Sequence, residues 1–530
     1  MKSYFFPVFL FLAIFITMPP KAGAQTDKLR IGTPMTIKIV NLLKDYHYNI
    51  LAMLMTHDTL VRFDSKLCPV PQLAESWTCS KDGKTWEFTM VSNAKWHDEK
   101  PVTAEDVKFT FEYLGSHQPS CAWIPDLIDK ININEQKIRF TLKKPYSRFL
   151  FNSGFIIRIL PEHIWSKIDD PLKTSCRDVV IGCGPYLFEG YDQKKGTIKF
   201  KKNTRYYQEI PETGQIEFIL NQNMDLLTLS LLKNKVDVYY KYASGYPAPY
   251  LTRLSKDHNI GFAQEESMGI PAALGFNLEN IFLGKKEFRK AVSLAINYQR
   301  INNSLFKGKG RIPTSGFVPS IFSSYKKMPD LKYNPGQCEA ILISLGLKDR
   351  DNDGIREDQD GNKISFTLVV RSDLWGDAQL VKLLTHDLKK VGLHVNVRMT
   401  DLSTWITSVR SKAFDLVLFR TTPWGMIMAS GYASGYFDSR RQGGGVLANI
   451  TDPLFHDLCD NILSMTDLQT VKNYYYRLQE YYAAHLPAIA LCWNKNVYPY
   501  RKNWTGISVN QIEGGLINRF TLNSLKNINQ

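Results

Sequence analysis

The sequence predicts an α/β protein of two or three domains joined by several crossing strands. Three observations carry that expectation. The chain has 530 residues, more than one ordinary domain holds. Its first third is rich in short alternating strands, whereas the stretch beyond Asn280 alternates strands with helices. No repeat and no low-complexity linker separates the two regions, which favours crossing strands over a single tether.

Leu29-Arg30-Ile31-Gly32 reads as a first strand, ended by glycine and Pro34. Trp86 to Met90 alternates as a half-buried strand should, and Asp82-Gly83 before it marks a hairpin turn. Thr103 to Leu114 has helical spacing. Thr103 is the cap, Asp106 stands three residues on, and Val107, Phe111 and Leu114 share one face. Ile138–Leu142, Ile198–Phe200 and Ile216–Leu220 are further strands, with a turn at Gly182-Cys183-Gly184-Pro185-Tyr186. Beyond Asn280, Phe288, Ala291, Val292, Ala295 and Ile296 follow helical spacing. Strands are expected at 364–370, 395–399 and 415–419. Helices are expected at Leu380–Val391, stopped by Gly392, and at Val471–Leu486, stopped by Pro487.

Composition narrows the class. With 44% hydrophobic and 22% charged residues the chain has material for buried cores, which excludes collagen-like, coiled-coil and largely disordered proteins. Lys and Arg outnumber Asp and Glu by 66 to 51, a formal charge of +15. The charge is spread along the chain, so nucleic acid is not an expected partner.

Met1 and Lys2, the apolar run Phe5–Met18 and the small residues Ala22-Gly23-Ala24 form a secretory leader, with cleavage expected after Ala24. No cysteine follows the cut, so no lipid anchor is expected and the mature chain should be free. Losing Lys2 and Lys21 lowers the charge to +13. The eight cysteines are too sparse for a disulfide scaffold and include no C-x-x-C pair. Cys68 with Cys79, and Cys176 with Cys183, are local pairings that spacing alone does not decide.

No nucleophile elbow, H-E-x-x-H or phosphate-binding Gly-Lys-Ser/Thr loop occurs, so no catalytic residues, no metal ligands and no cofactor are expected. The loop Asp349-x-Asp351-x-Asp353-Gly354 carries oxygen ligands and a glycine at calcium-loop positions 1, 3, 5 and 6, but position 12 is Asp360 rather than glutamate. An acidic β-turn leading into the strand at 364–370 is the preferred reading.

The longest ordered motif runs from Pro71 to Leu114. It contains Leu73-Ala74-Glu75-Ser76-Trp77, Asp82 to Phe88, Trp96-His97-Asp98 and Thr103 to Val107. This resembles the signature of the family 5 extracytoplasmic solute-binding proteins, the peptide/nickel type. Gly182 to Tyr186, Phe288 to Ile296, Asp349 to Asp360 and Phe414-Asp415-Leu416 continue the resemblance. It implies a two-lobed periplasmic binding protein with a hinge, class II-like, in the large form with an extra strand-rich subdomain. Lobe I would comprise residues 25–280 and 499–530, with the strand-rich subdomain at about 76–200, and lobe II residues 281–498. The implied function is the substrate-binding component of an ABC importer. Such a component captures a small solute in a closing cleft and delivers it to a permease at the inner membrane. The chain would be periplasmic, monomeric and not an enzyme. An exported sensor or chaperone-like interaction protein on the same scaffold is the alternative.

Peptide-binding members carry an aspartate shortly after a Trp-Gly in the cleft segment. Here Met426 follows Trp424-Gly425, and no acid appears before Asp438. The preceding Arg420-Thr421 looks more like the metal-chelate branch, although its metal-touching histidine has no counterpart. The resemblance therefore implies an oligopeptide, dipeptide or metal chelate, with a carboxylate as the favoured feature. Arg420 and Arg158 would bind carboxylates, and Trp123 and Trp424 would clamp a flat or cationic ligand. Tyr432 and Tyr436 would add wall contacts, and Arg440 and Arg441 further positive charge.

Overall fold

The architecture was analysed in a computed structural model, which describes residues 28–35, 41, 43, 52–168, 170–174, 177–242, 244–374, 376–441 and 447–528. The leader Met1–Ala24 and Cys176 lie outside the described residues.

Three sheets organise the chain. The largest has seven strands in the order Ile260–Glu266, Lys495–Arg501, Val238–Tyr239, Lys28–Thr33, Gln215–Leu220, Thr197–Lys202 and Tyr186–Asp192. Lys28–Thr33 runs parallel to both of its neighbours, and the outer pairs are antiparallel. The second sheet has five strands, ordered His394–Thr400, Ser365–Arg371, Leu416–Phe419, Ala272–Phe276 and Ala488–Cys492. Its first three strands are mutually parallel. Ala272–Phe276 and Ala488–Cys492 are buried along their whole length, which explains why they read as continuous apolar runs rather than as alternating strands.

The third sheet is antiparallel, in the order Ala74–Cys79, Thr85–Met90, Lys137–Leu142 and Ile128–Asn134. The helix Ala104–His117 packs on it. Thr103 caps that helix reciprocally with Asp106, and Val107, Phe111 and Leu114 are fully buried. Gly182 and Gly184 lie against the backbone of Met55 and Thr56. A side chain at Gly182 would begin 1.7 Å from the Thr56 carbonyl oxygen, so close approach rather than dihedral freedom requires these glycines. His97 joins the turn by hydrogen bonds to the carbonyls of Gly182 and Gly184.

The lobes built on the seven- and five-stranded sheets are joined by two short crossings, at 267–271 and 493–494. Both fall before the positions 280 and 498 read from sequence, because Ala272–Phe276 already pairs within the five-stranded sheet and Lys495–Arg501 within the seven-stranded one. Tyr186–Asp192 and Thr197–Lys202, expected in the strand-rich subdomain, extend the large sheet instead. Gln511 holds the crossings together. Its amide oxygen accepts from the Met268 N–H at 2.9 Å and the Asn496 side chain at 3.0 Å, and its nitrogen donates to the Glu266 carbonyl at 2.6 Å. The C-terminal stretch folds back into lobe I through two buried ion pairs, Arg519 with Asp58 and Arg62 with Glu513, each at 2.6 Å.

Cys68, Cys79 and Cys183 are free thiols, so the Cys68–Cys79 pairing is not formed. Among the described residues, no helix is long and apolar enough to cross a membrane.

Candidate functional site

Parallel strands leave their C-terminal ends open for ligands where the chain turns away in opposite directions. In lobe II those ends are Arg371, the last residue of Ser365–Arg371, and Arg420, directly after Leu416–Phe419. Asp377 stands at the start of the helix Asp377–Lys390, 2% exposed, and accepts a short hydrogen bond from Arg420. Arg371 binds Asp373 through two nitrogens, at 3.0 and 2.6 Å. Lys241 joins this group from lobe I, two residues beyond the strand Val238–Tyr239.

The electrostatics bind these five groups into one site. Burial pushes the Asp377 carboxyl up, against the pull of Arg420. Arg371 holds Asp373 below the usual carboxylate range. Burial and then Arg420 and Arg371 lower Lys241, while Asp373 and Asp377 oppose them. Three cations face two carboxylates. Both arginines are paired with acids, whereas Lys241 forms no ion pair among the described residues.

The cleft is sealed beside this cluster. Trp424 lies on a short helix, Pro423–Ile427, capped by the Thr422 hydroxyl. Its indole packs on Tyr242 and Phe155, with centroids 5.5 and 6.2 Å away, and donates to the Ile512 carbonyl of lobe I at 2.5 Å. Tyr436 supports the same helix. Its hydroxyl accepts from the Thr422 N–H at 3.3 Å, and Gly425 leaves it room. At the other end of the helix, Arg148 donates to the Ile427 carbonyl, and Ser147 donates to that of Ile462 at 2.8 Å. The two lobes are thus in contact at both ends of this short helix.

The structure distributes the sequence candidates unevenly. Arg420, Trp424 and Tyr436 come together. Tyr432 lies in the lobe II core, with its ring 4.1 Å from Tyr475 and its hydroxyl accepting from the Ser324 N–H; burial raises it to about 12. Trp123 is half-buried at the start of the helix Ile124–Leu127, and the rings beside Trp424 are Tyr242 and Phe155 instead. Arg158 is fully buried in lobe I, bridged through its backbone to Thr59 and close to His57 and Cys121 rather than to the charged strand ends. Arg440 is committed to Asp438 and Asp460, at 2.8 Å each, and Arg441 is exposed. Sequence reading missed Lys241, Arg371 and Asp377. A cation directly after an apolar strand was the signal that singled out Arg420, and Tyr239-Tyr240-Lys241 carries the same one.

Two lobes crossed by paired strands, with a charged cleft at open strand ends, define a binding protein that closes on a solute. Residues 69–444 match the bacterial extracellular solute-binding proteins, family 5 (middle region), and the chain belongs to that family. Among its relatives is the oligopeptide-binding protein AppA of Bacillus subtilis (strain 168), 24% identical over 410 residues, covering 75% of this chain and 73% of the relative. Another is the nickel-binding periplasmic protein of Escherichia coli (strain K12), 22% identical over 407 residues and 76% of each chain. The fold is shared with NikZ from Campylobacter jejuni, solved in complex with Ni(L-His). That similarity has a TM-score of 0.78 at 23% identity, over 95% of this chain and all of the other.

Proposed function

We propose that this chain is the periplasmic component of an ABC importer and that its solute, an oligopeptide, dipeptide or metal chelate, presents a carboxylate to Lys241. What supports this reading is the charge gathered at the strand ends: Lys241 is influenced by Arg420, Arg371, Asp373 and Asp377, and both of those arginines are already paired with acids. A carboxylate there gains a charge-assisted hydrogen bond and relieves the excess of positive charge. Trp424 and Tyr242 cover the site and exclude water, which strengthens that bond. The relatives named for oligopeptides and for nickel support both ligand classes. The absence of an acid after Trp424-Gly425 favours recognition through the ligand's carboxylate over its amine. Arg420, Trp424 and Tyr436 serve the cleft, and the closed form would dock on a membrane permease.

The test is thermal unfolding of the mature protein with dipeptides, longer peptides, a nickel–histidine chelate and the amidated form of each peptide. A true solute raises Tm in proportion to RT ln(1 + [L]/Kd), and amidation abolishes the rise. Equal stabilisation by acid and amide would rule out the carboxylate reading.

A further inference from the structure

We infer that the loop Asp349–Glu357 of lobe II is a calcium site. One oxygen from each of Asp349, Asp351, Asp353 and Glu357 lies within 4.8 Å of the others. Oxygens no farther apart than this can all stand about 2.4 Å from one ion, the distance calcium prefers. Magnesium, at about 2.0–2.1 Å with strict octahedral geometry, needs a tighter cage.

Acidic turns are common on surfaces, but Glu357 separates this one from them. Its side chain is 4% exposed. One carboxylate oxygen accepts from the Arg350 N–H at 2.8 Å, while the other has no hydrogen-bond partner among the described residues. An inner oxygen of Asp349 is in the same condition. Two buried anionic oxygens without a donor on neighbouring carboxylates are costly, and a cation bound to both removes that cost. The lysine nearby does not do so. The Lys363 ammonium binds Asp351 at 3.0 Å and also Asp353, both on the solvent side, and its own side chain is half exposed. The guanidinium of Arg350 points away, to the carbonyls of Asp358 and Gly346. Four carboxylates therefore share one ammonium.

Glu357 supplies the ligand that the motif lacks at position 12. It is held in place by backbone bridges to Lys348 and Lys363, so the site is built before the ion arrives. Calcium binding displaces Lys363 into solvent and ties the segment after the helix Pro335–Ser344 to the strand Ser365–Arg371.

Calcium titration of the chelator-stripped full chain by calorimetry, with a parallel thermal scan, tests the site. The expected result is one calcium per chain with Kd on the order of 0.1–1 mM, as in extracellular modules, and a Tm several degrees higher in 10 mM calcium. Magnesium at the same concentration should give less than half that rise. Glu357→Gln, and separately Asp351→Asn at an exposed position, should each weaken binding about tenfold or more. Lys363→Met should tighten it about fivefold by removing the competing charge. Absence of heat and of a Tm change at 10 mM calcium overturns the assignment. So does wild-type affinity in both carboxylate variants, or unchanged affinity in Lys363→Met.

Discussion

The indole N–H of Trp424 and the carbonyl of Ile512 meet at 2.5 Å across the gap between the lobes, and both groups are buried. Trp424→Phe keeps the ring but leaves the carbonyl without this donor, at a cost of about 1–2 kcal/mol to the closed form. Stopped-flow measurement should show solute leaving about tenfold faster, with an almost unchanged association rate. An unchanged dissociation rate would mean that this bond does not hold the lobes together.

Lys241→Met should weaken binding of a carboxylate-bearing solute by about tenfold or more, the scale of a charge-assisted hydrogen bond. The pH dependence follows from the downward shift of this amine. Its ammonium is lost at lower pH than that of a free lysine, so affinity falls as pH rises through that lowered value. Calorimetry between pH 7 and 10 should show an alkaline decline in the native protein and none in the variant.

Asp58 and Arg519 form a buried pair, both under 5% exposed. Asp58→Ala leaves the guanidinium uncompensated and should cost about 3–5 kcal/mol in urea unfolding. Converting both positions to apolar residues of similar size should recover most of that loss. A double variant as unstable as the single one would show that the pair contributes more than mutual neutralisation.

His57 is buried beside Arg158 and Arg519, and burial above all lowers it to about 3. Between pH 6.5 and that value the unfolded chain binds a proton that the folded chain refuses, so stability falls as pH falls. The slope is up to ~1.4 kcal/mol per pH unit, or about 2 kcal/mol at pH 5. His57→Gln should remove this slope, so the stability difference between variant and native should shift by about 2 kcal/mol between pH 7 and 5. Parallel urea titrations at the two pH values decide it.

Much of the fold is legible because its signals are local. The Thr103–Asp106 cap, the Asp82-Gly83 turn and the stop at Gly392 each need only a few neighbouring residues. The cleft is less legible because it is assembled from strand ends far apart in sequence. Arg420 and Arg158 both interrupt apolar runs, yet one emerges at a strand end and the other is fully buried in lobe I beside His57. Tyr432 and Tyr436 are four residues apart, and only Tyr436 reaches the Trp424 helix. Nothing local distinguishes the members of these pairs. Glu357 was equally hidden, since its burial depends on bridges to Lys348 and Lys363 rather than on the acidic motif beside it.

The buried pairs of lobe I also set a timetable. Asp58 and Arg62 are made early, but their partners Arg519 and Glu513 follow 461 and 451 residues later. Until Glu513 and Arg519 have been made, the lobe containing the first strand holds two charges it cannot pair. Its core therefore completes late, and a chain truncated before Glu513 should show a lobe more open to protease than the intact chain. For a member of an extracellular family, such late completion favours a chain still loose enough to be threaded through a translocation pore.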